Sequence, residues 1–459
     1  MTAATSKLLD QLHRHTIDAP DRTAVREIAS DRRLTYAQLQ DAVTRFAGTL
    51  RQRLPAGSTV MLRCPNCCDY HVAFFAALHA GIVIFPVPPD INRREFATLA
   101  AKSEAAGVID ETLGLRLLDA DAPIVTHDRD GLLLQSSGTT GLPKIVHRSA
   151  ASLDAVAAQM AAACDMNVGD RVLSCVPLCH SYGLEHGLLA PIFAGATVNL
   201  ADGFDLATVR SALAHEQITH FPAVPSVYEM LANIADDGAR FPSLRIAYSA
   251  GGPLPITLYE KLAQQRGLRV GQLYGATEIG SVTFTRADDA HFAPAAVGRA
   301  MNGVELRINR DGQLLVRAKS MMSGYVGDAS PLTDDNFFPT GDLARIDDHG
   351  NLFITGRLKL LIDVGGLKVN PLEVEQTIEA HPAVSACVVV PMRLSETVFR
   401  LKAVVTPRDP AQPPSSDELR RFTRDRLTIH KVPRVFELRE TLPRSDTGKI
   451  LRHLLVEPA

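Results

Sequence analysis

Ten residues, Gln135 to Lys144 (QSSGTTGLPK), place four hydroxyls (Ser136, Ser137, Thr139, Thr140), two glycines (Gly138, Gly141) and the Lys144 ammonium directly after the apolar run Leu132 to Leu134. Glycine lets backbone N–H groups converge on one guest, the hydroxyls add donors and the lysine adds charge. The stretch therefore reads as a cradle for phosphate oxygens. It is not a Walker loop, which runs Gly, four residues, then Gly-Lys-Ser/Thr. Here the glycines are three apart, Pro143 precedes the lysine and Ile145 follows it. The plain alternative is a polar surface turn, but such turns rarely end in Pro-Lys with no acidic residue.

Read with the rest of the chain, SSGTTGLPK resembles the phosphate-loop signature of the adenylate-forming superfamily of acyl-CoA synthetases, aryl-acid ligases, peptide-synthetase adenylation domains and luciferases. Further segments are similar to that family's motifs in the same order: RLTYAQLQ (33 to 40), ALHAGIVIFPVPP (77 to 89), VPLCHSYGLEHGLLAPIFAGA (176 to 196), YSAGGPLP (248 to 255), GQLYGATEIG (271 to 280), PTGDLARIDDHGNLFITGRLK (339 to 359) and LPRSDTGKILR (442 to 452). Ile145 departs from the family, which usually has glycine after the lysine, so the closing turn of the loop differs.

The resemblance implies ATP and Mg²⁺ as cosubstrate and metal, and a role for each matched residue. Thr139, Thr140 and Lys144, with Ser136, Ser137, Gly138 and Gly141 in the same loop, would hold the β- and γ-phosphates. Thr277 would bond the α-phosphate, and Glu278 would give an oxygen ligand to the metal. Tyr274 would stack on adenine, with Gly251, Gly252, Gly275 and Ala276 lining the approach. Asp342 would accept both ribose hydroxyls, supported by Arg357. Lys449 would bridge the substrate carboxylate and the α-phosphate, making Lys449, Thr277 and His180 the expected catalytic set. Adenylation brings a carboxylate against a phosphate, so the protein's task is positive charge and alignment.

Lys449 must then yield its place to a thiol. The C-terminal part is expected to be mobile, turning about a hinge at Lys359, with Gly365 and Gly366 lining the thiol tunnel. Many acyl-CoA ligases carry lysines where this chain has Asp363 and Gly365. The acceptor is left between coenzyme A and the phosphopantetheine arm of a carrier protein, and compact free-standing relatives that load separate carriers tilt the expectation toward the latter.

For the acid, LCHSYGLEHG (178 to 187) lacks the aspartate that pairs an α-ammonium and resembles hydroxycinnamate and benzoate ligases. His180, Tyr182, Gly183, Ala250 and Gly251 are the expected pocket. An aromatic acid, hydroxylated with Tyr182 as partner, is the leading reading. His180 could instead be an ordinary packed histidine, and Glu185 could pair a distal amine, keeping β- or ω-amino acids in play beside short and medium fatty acids.

These residues need elements to hold them. At 459 residues, with 46% apolar and 22% charged content, the chain can build two or three domains around a large core. Strand-length apolar runs alternate with helical periodicities, predicting an α/β fold: a large N-terminal domain (1-357) of layered sheets, with a β subdomain from about Gly303, then a small α+β domain (358-459). Arg310-Asp311-Gly312 and Asp348-His349-Gly350-Asn351 are hairpin signals, and the 409 to 418 connection should end in a helix N-cap. Val72 to Pro89 reads as a buried helix, a glycine stop and a core strand rather than a membrane span.

A net charge of −3 gives no field for nucleic acid or anionic lipid. The expected partners are a small carboxylic acid, ATP and a carrier protein, with neither nucleic acid nor membrane. Met1 to His15 lacks the zones of a signal peptide and Lys449 lies close to the end of the sequence, so neither a leader nor a fused carrier domain is expected, and seven cysteines fit the expectation of a reducing cytoplasm. Cys64, Cys67, Cys68, Cys175 and Cys179 with His180 match no standard zinc spacing, so packing is the preferred reading. The rivals from other classes are a non-catalytic nucleotide-binding regulator and a zinc-binding interaction protein.

Overall fold

The computed structural model describes residues 6–456, apart from 92, 137–143, 202, 204, 235–239, 330, 365–366, 394–398, 428 and 446–449. The chain divides into two compact units. The first comprises Met1–Leu306, Val316–Phe338 and Asp348–Leu352; the second comprises Arg307–Leu315, Pro339–Asp347 and Phe353–Ala459.

The first unit is built on two sheets. One has nine strands in the order Arg299–Ala300, Gly280–Thr285, Val270–Ala276, Ile246–Ser249, His220–Ala223, Arg171–Ser174, Thr197–Leu200, Thr23–Glu27 and Arg33–Thr35. The run from Val270–Ala276 to Thr23–Glu27 is parallel. Parallel strands need crossovers, and crossover helices bury both faces of the sheet. The burial follows: Ile246–Ser249, His220–Ala223 and Thr197–Leu200 are buried at every position.

The other sheet has seven strands, in the order Gly324–Tyr325, Lys144–Arg148, Leu132–Ser136, Val83–Val87, Thr59–Arg63, Ala105–Ile109 and Leu115–Leu117. Within it the expected helix, glycine stop and core strand are all present. The helix Cys68–Ala80 buries ten of its residues, Gly81 ends it at φ 71°, and Val83–Val87 is buried throughout. A left-handed residue closes a helix at least cost when it is glycine. Among the described residues no helix is long and apolar enough to cross a membrane.

The β subdomain expected from Gly303 appears as four strands, Glu305–Ile308, Gln313–Arg317, Phe338–Ile346 and Leu352–Arg357, paired in that order. Both hairpin signals fall between neighbouring strands. In the second unit, Val384–Arg393 runs antiparallel to Phe399–Pro407, which pairs parallel with Val435–Leu438. Val374 and Ile378 from the helix Pro371–Glu379, and Leu419 from Ser416–Arg424, join Val389, Leu401 and Val405 in one core. Each such side chain contributes about 1.5–3 kcal/mol of burial. The expected N-cap is Ser415, whose side chain accepts from the Glu418 N–H at 3.2 Å.

Candidate active site

Ser136 ends one strand and Lys144 begins the next, and they face each other across an antiparallel pair. The loop residues Ser137, Gly138, Thr139, Thr140 and Gly141 lie outside the described residues. Ser136 is buried, while Lys144 is exposed and carries its ammonium 4.3 Å above the ring of Tyr325. That phenol in turn donates to Glu278 Oε1 at 3.1 Å. Burial, and then the Glu278 charge beside it, push the Tyr325 hydroxyl up, so it stays protonated and a donor. One aromatic ring thus spaces the expected phosphate-binding cation from the expected metal-binding carboxylate. Sequence reasoning missed Tyr325, because a Gly-Tyr pair in SGYVG carries no chemical pattern of its own.

Glu278 sits at the tip of a hairpin. Val270–Ala276 pairs antiparallel with Gly280–Thr285, Ala276 opposite Gly280, so Thr277, Glu278 and Ile279 form the turn. Tyr274 is half-buried near the end of the first strand, followed by exposed Gly275 and half-buried Ala276. A Cβ on Gly275 would lie 2.5 Å from the Gly280 carbonyl oxygen, so glycine is required for the two strands to close. The tip is pinned from three sides: the Thr277 carbonyl accepts from Arg148 Nη1 at 3.4 Å, the Glu278 carbonyl from the Met322 N–H at 2.8 Å, and the Ile279 carbonyl from Ser320 Oγ at 2.7 Å.

Beneath the tip lies a buried polar chain that sequence reasoning did not assemble. Arg148 has no exposed surface, and Glu185 is 2% exposed. Arg148 Nη1 donates to Glu185 Oε1 at 3.1 Å, and the same carboxylate accepts from Ser181 Oγ, from the Ser281 N–H and from Ser281 Oγ at 2.9, 3.0 and 2.7 Å. With the Ser281 proton spent on Glu185, Ser281 Oγ must accept from His186 Nε2 at 2.9 Å, and His186 Nδ1 must then accept from Tyr248 at 2.8 Å. One proton per group satisfies the series, and burial lowers the His186 pKa to about 4, keeping the ring neutral. Glu185 is therefore spent on Arg148 and two serines. This corrects the reading that it pairs a distal amine, and a β- or ω-amino acid loses the carboxylate that argued for it.

The acid-pocket segment is folded by a wide turn. Ser181–Leu184, Glu185–Leu189 and Ala190–Ala194 form one helical stretch with a π-helical middle, ended by Gly195 at φ 78°. Pro191 has no N–H for the carbonyl four residues earlier, which favours the wider turn. His180 takes the N-cap position, half-buried. Gly183 is buried where a Cβ would meet the Pro177 carbonyl oxygen at 2.1 Å. The Tyr182 hydroxyl lies 3.3 Å from the carbonyls of both Ala223 and Tyr248. With its proton directed at main chain, Tyr182 would partner a substrate hydroxyl as an acceptor. Ala250 is buried, and exposed Gly251, at φ 83°, and Gly252 follow the strand Ile246–Ser249 at its C-terminal end. Open α/β sheets bind ligands at that edge.

In the second unit, buried Asp342 pairs with Arg357 Nε at 2.6 Å, and the Asp342 N–H donates to Thr340 Oγ1 at 3.0 Å. Lys359 falls in the short turn Leu358–Leu360, whereas Gly365, Gly366 and Lys449 lie outside the described residues. Mg²⁺ binds through one or two carboxylates plus phosphate oxygens and water, and the half-buried Glu278 carboxylate, which accepts from Tyr325, fits that donor set. Among the described residues no group of three His, Cys, Asp or Glu side chains could hold a metal.

Comparison with known proteins gives this geometry a family. Residues 12–135 and 123–326 match the AMP-binding enzyme family, and 373–449 match the AMP-binding enzyme C-terminal domain. The chain is 31% identical to a feruloyl-CoA synthase of an Amycolatopsis species, over 95% of each chain. It is 30% identical to a methyl-dioxo-octahydroindenyl-propanoyl:CoA ligase of Mycobacterium tuberculosis, over 99% of this chain and 98% of that one. In fold it is similar to ATP-bound MatB from Rhodopseudomonas palustris, with a TM-score of 0.88, 24% identity and 98% of both chains covered. Matched along most of its length, the chain belongs to the AMP-binding enzyme family and is an AMP-forming acid–thiol ligase.

Proposed function

We propose that the protein joins an aromatic carboxylic acid to ATP, releasing pyrophosphate and forming an acyl-adenylate, and then passes the acyl group to the thiol of coenzyme A. The observation that carries this reading is the Lys144–Tyr325–Glu278 arrangement under the Thr277 tip: a cation, a fixed spacer and a carboxylate at the foot of a phosphate loop. Lys144 would grip the departing pyrophosphate, and Thr277 the α-phosphate. Mg²⁺ on Glu278 would neutralise phosphate charge. Asp342 and Arg357 would hold the ribose, and Lys449 would align the attacking carboxylate. The names of the two relatives favour a ring-bearing acid and coenzyme A, and the Tyr182 ring suits an aromatic guest. The domain boundary near Lys359, the turn about it, and the tunnel at Gly365 and Gly366 stand as parts of the same proposal.

Carboxylate-dependent ATP–pyrophosphate exchange, run over aryl, fatty and amino acids, tests the first half. Exchange with an aryl acid is expected, and Lys449→Ala should lose it by a factor of 100 or more, on the order of 3 kcal/mol of transition-state stabilisation. Absence of exchange with every acid, or an unimpaired Lys449→Ala protein, would reject the reading. Incubating the acyl-adenylate with coenzyme A and with a phosphopantetheinylated carrier protein separately decides the acceptor.

A further inference from the structure

The loop Cys64-Pro65-Asn66-Cys67 joins the strand Thr59–Arg63 to the helix Cys68–Ala80 inside a parallel β-α-β unit. Its two sulfurs lie 3.4 Å apart. Cys67 occupies the helix N-cap and is half-buried, while Cys64 is 3% exposed. A disulfide needs about 2.0 Å between sulfurs, so closure asks for a movement of about 1.4 Å within a four-residue loop. The third cysteine, Cys68, is turned away, its Sγ toward the Arg32 carbonyl at 3.8 Å.

What lies between the two cysteines gives the pair a consequence. Asn66 Nδ2 donates to the Val176 carbonyl at 3.0 Å, and Asn66 Oδ1 accepts from the Leu178 N–H at 2.9 Å. Tyr70, in the first turn of the same helix, donates to the Leu178 carbonyl at 2.8 Å. Three hydrogen bonds thus moor the segment that leads into His180 and Tyr182, and two of them issue from the residue that ring closure would drag.

We propose that Cys64 and Cys67 form a reversible thiol–disulfide pair that reacts with small-molecule disulfides, and that closing it loosens the mooring of Val176 to Leu178 under the acid pocket. Cys67, the more accessible sulfur, attacks one sulfur of R–S–S–R as thiolate and expels RS⁻, which takes up the proton Cys67 released. Cys64 then loses its proton, attacks Cys67 Sγ and expels the second RS⁻. Two protein thiols are oxidised and one small disulfide is reduced to two thiols, so atoms and electrons balance. The division of labour is chemical: the hydrogen bond from Cys64, and then the Tyr70 and Asp69 backbone N–H groups at the helix start, pull the Cys67 thiol down, while that same bond and burial push Cys64 up.

The test uses the full chain with oxidised glutathione as probe and reads neither ATP nor acid chemistry. Intact mass should fall by two hydrogen atoms, peptide mapping should link Cys64 to Cys67, and dithiothreitol should reverse both. Hydrogen exchange at the Leu178 amide should speed up roughly tenfold on oxidation, the scale of one lost hydrogen bond. Cys67→Ser, which keeps a good N-cap residue, should show neither change. A persistent glutathione adduct on Cys67, a link through Cys68, no loss of mass, or an unchanged Leu178 amide after the disulfide has formed would each overturn the proposal.

Discussion

Arg148 and Glu185 bring two opposite charges into an interior with almost no water, and each is affordable only while the other is present. Removing one partner of such a pair typically costs about 3–5 kcal/mol, because the survivor keeps its desolvation penalty and loses its compensation. Glu185→Leu and Arg148→Met should each destabilise the protein by about that much in chemical denaturation. The double variant should lose clearly less than the sum of the two; simple additivity would show that the pair is not coupled. Sequence patterns singled out Lys144, Tyr274, Glu278 and Asp342 as candidates only because the segments that carry them resemble family motifs. They could not pair Arg148 with Glu185, 37 positions apart, since HRSA and GLEHG are ordinary text until strand and helix register bring them together. The same limit explains Tyr182, whose type fits a pocket but whose hydroxyl direction depends on carbonyls from two other strands.

At the level of elements, one substitution has opposite signs in two helices. Gly183 lies in Ser181–Leu184, where an added Cβ would penetrate the Pro177 carbonyl. Neither group is the end of a flexible side chain, so the backbone would have to shift. Gly183→Ala should cost about 1–3 kcal/mol and move the segment bearing His180 and Tyr182. Gly48 lies inside the helix Tyr36–Arg53 with nothing within 4 Å of its added Cβ, so Gly48→Ala should stabilise by about 0.5–1 kcal/mol. Thermal melts of the two variants check both signs, and a stable Gly183→Ala protein would mean the turn has slack that the packing denies. The helix, stop and strand of 68 to 87 were readable because hydrophobic runs and Gly81 are local signals. The π-turn at Glu185–Leu189 was not, since Pro191 inside an apolar stretch announces a perturbed helix without saying how the turn widens.

Across the whole molecule, the two units should answer pH in opposite directions. In the first, burial lowers His71 and His186 from 6.5 to about 4. Between those values the unfolded chain binds a proton that the folded unit refuses, so ν_U exceeds ν_N and stability rises with pH. That contribution is complete above about pH 6.5 and is lost on acidification toward pH 4, on the order of 3 kcal/mol per histidine at the limit. In the second unit, burial raises Glu379 from 4.5 to about 6 and raises Glu375 as well, against the pull of Arg452. There the folded unit holds protons that the unfolded chain has released, ν_N exceeds ν_U, and stability falls as pH climbs from about 4.5 to 6. Hydrogen exchange resolved by peptide, compared at pH 5 and pH 7 after correction for intrinsic rates, separates the two. Protection around Glu185–Leu189 should increase with pH while protection around Pro371–Glu379 decreases. His186→Gln, which keeps a donor and an acceptor but cannot charge, should reduce the first trend by about half, leaving the His71 share, and leave the second untouched. A common slope in both units would place the pH response in shared surface charge rather than in these buried groups.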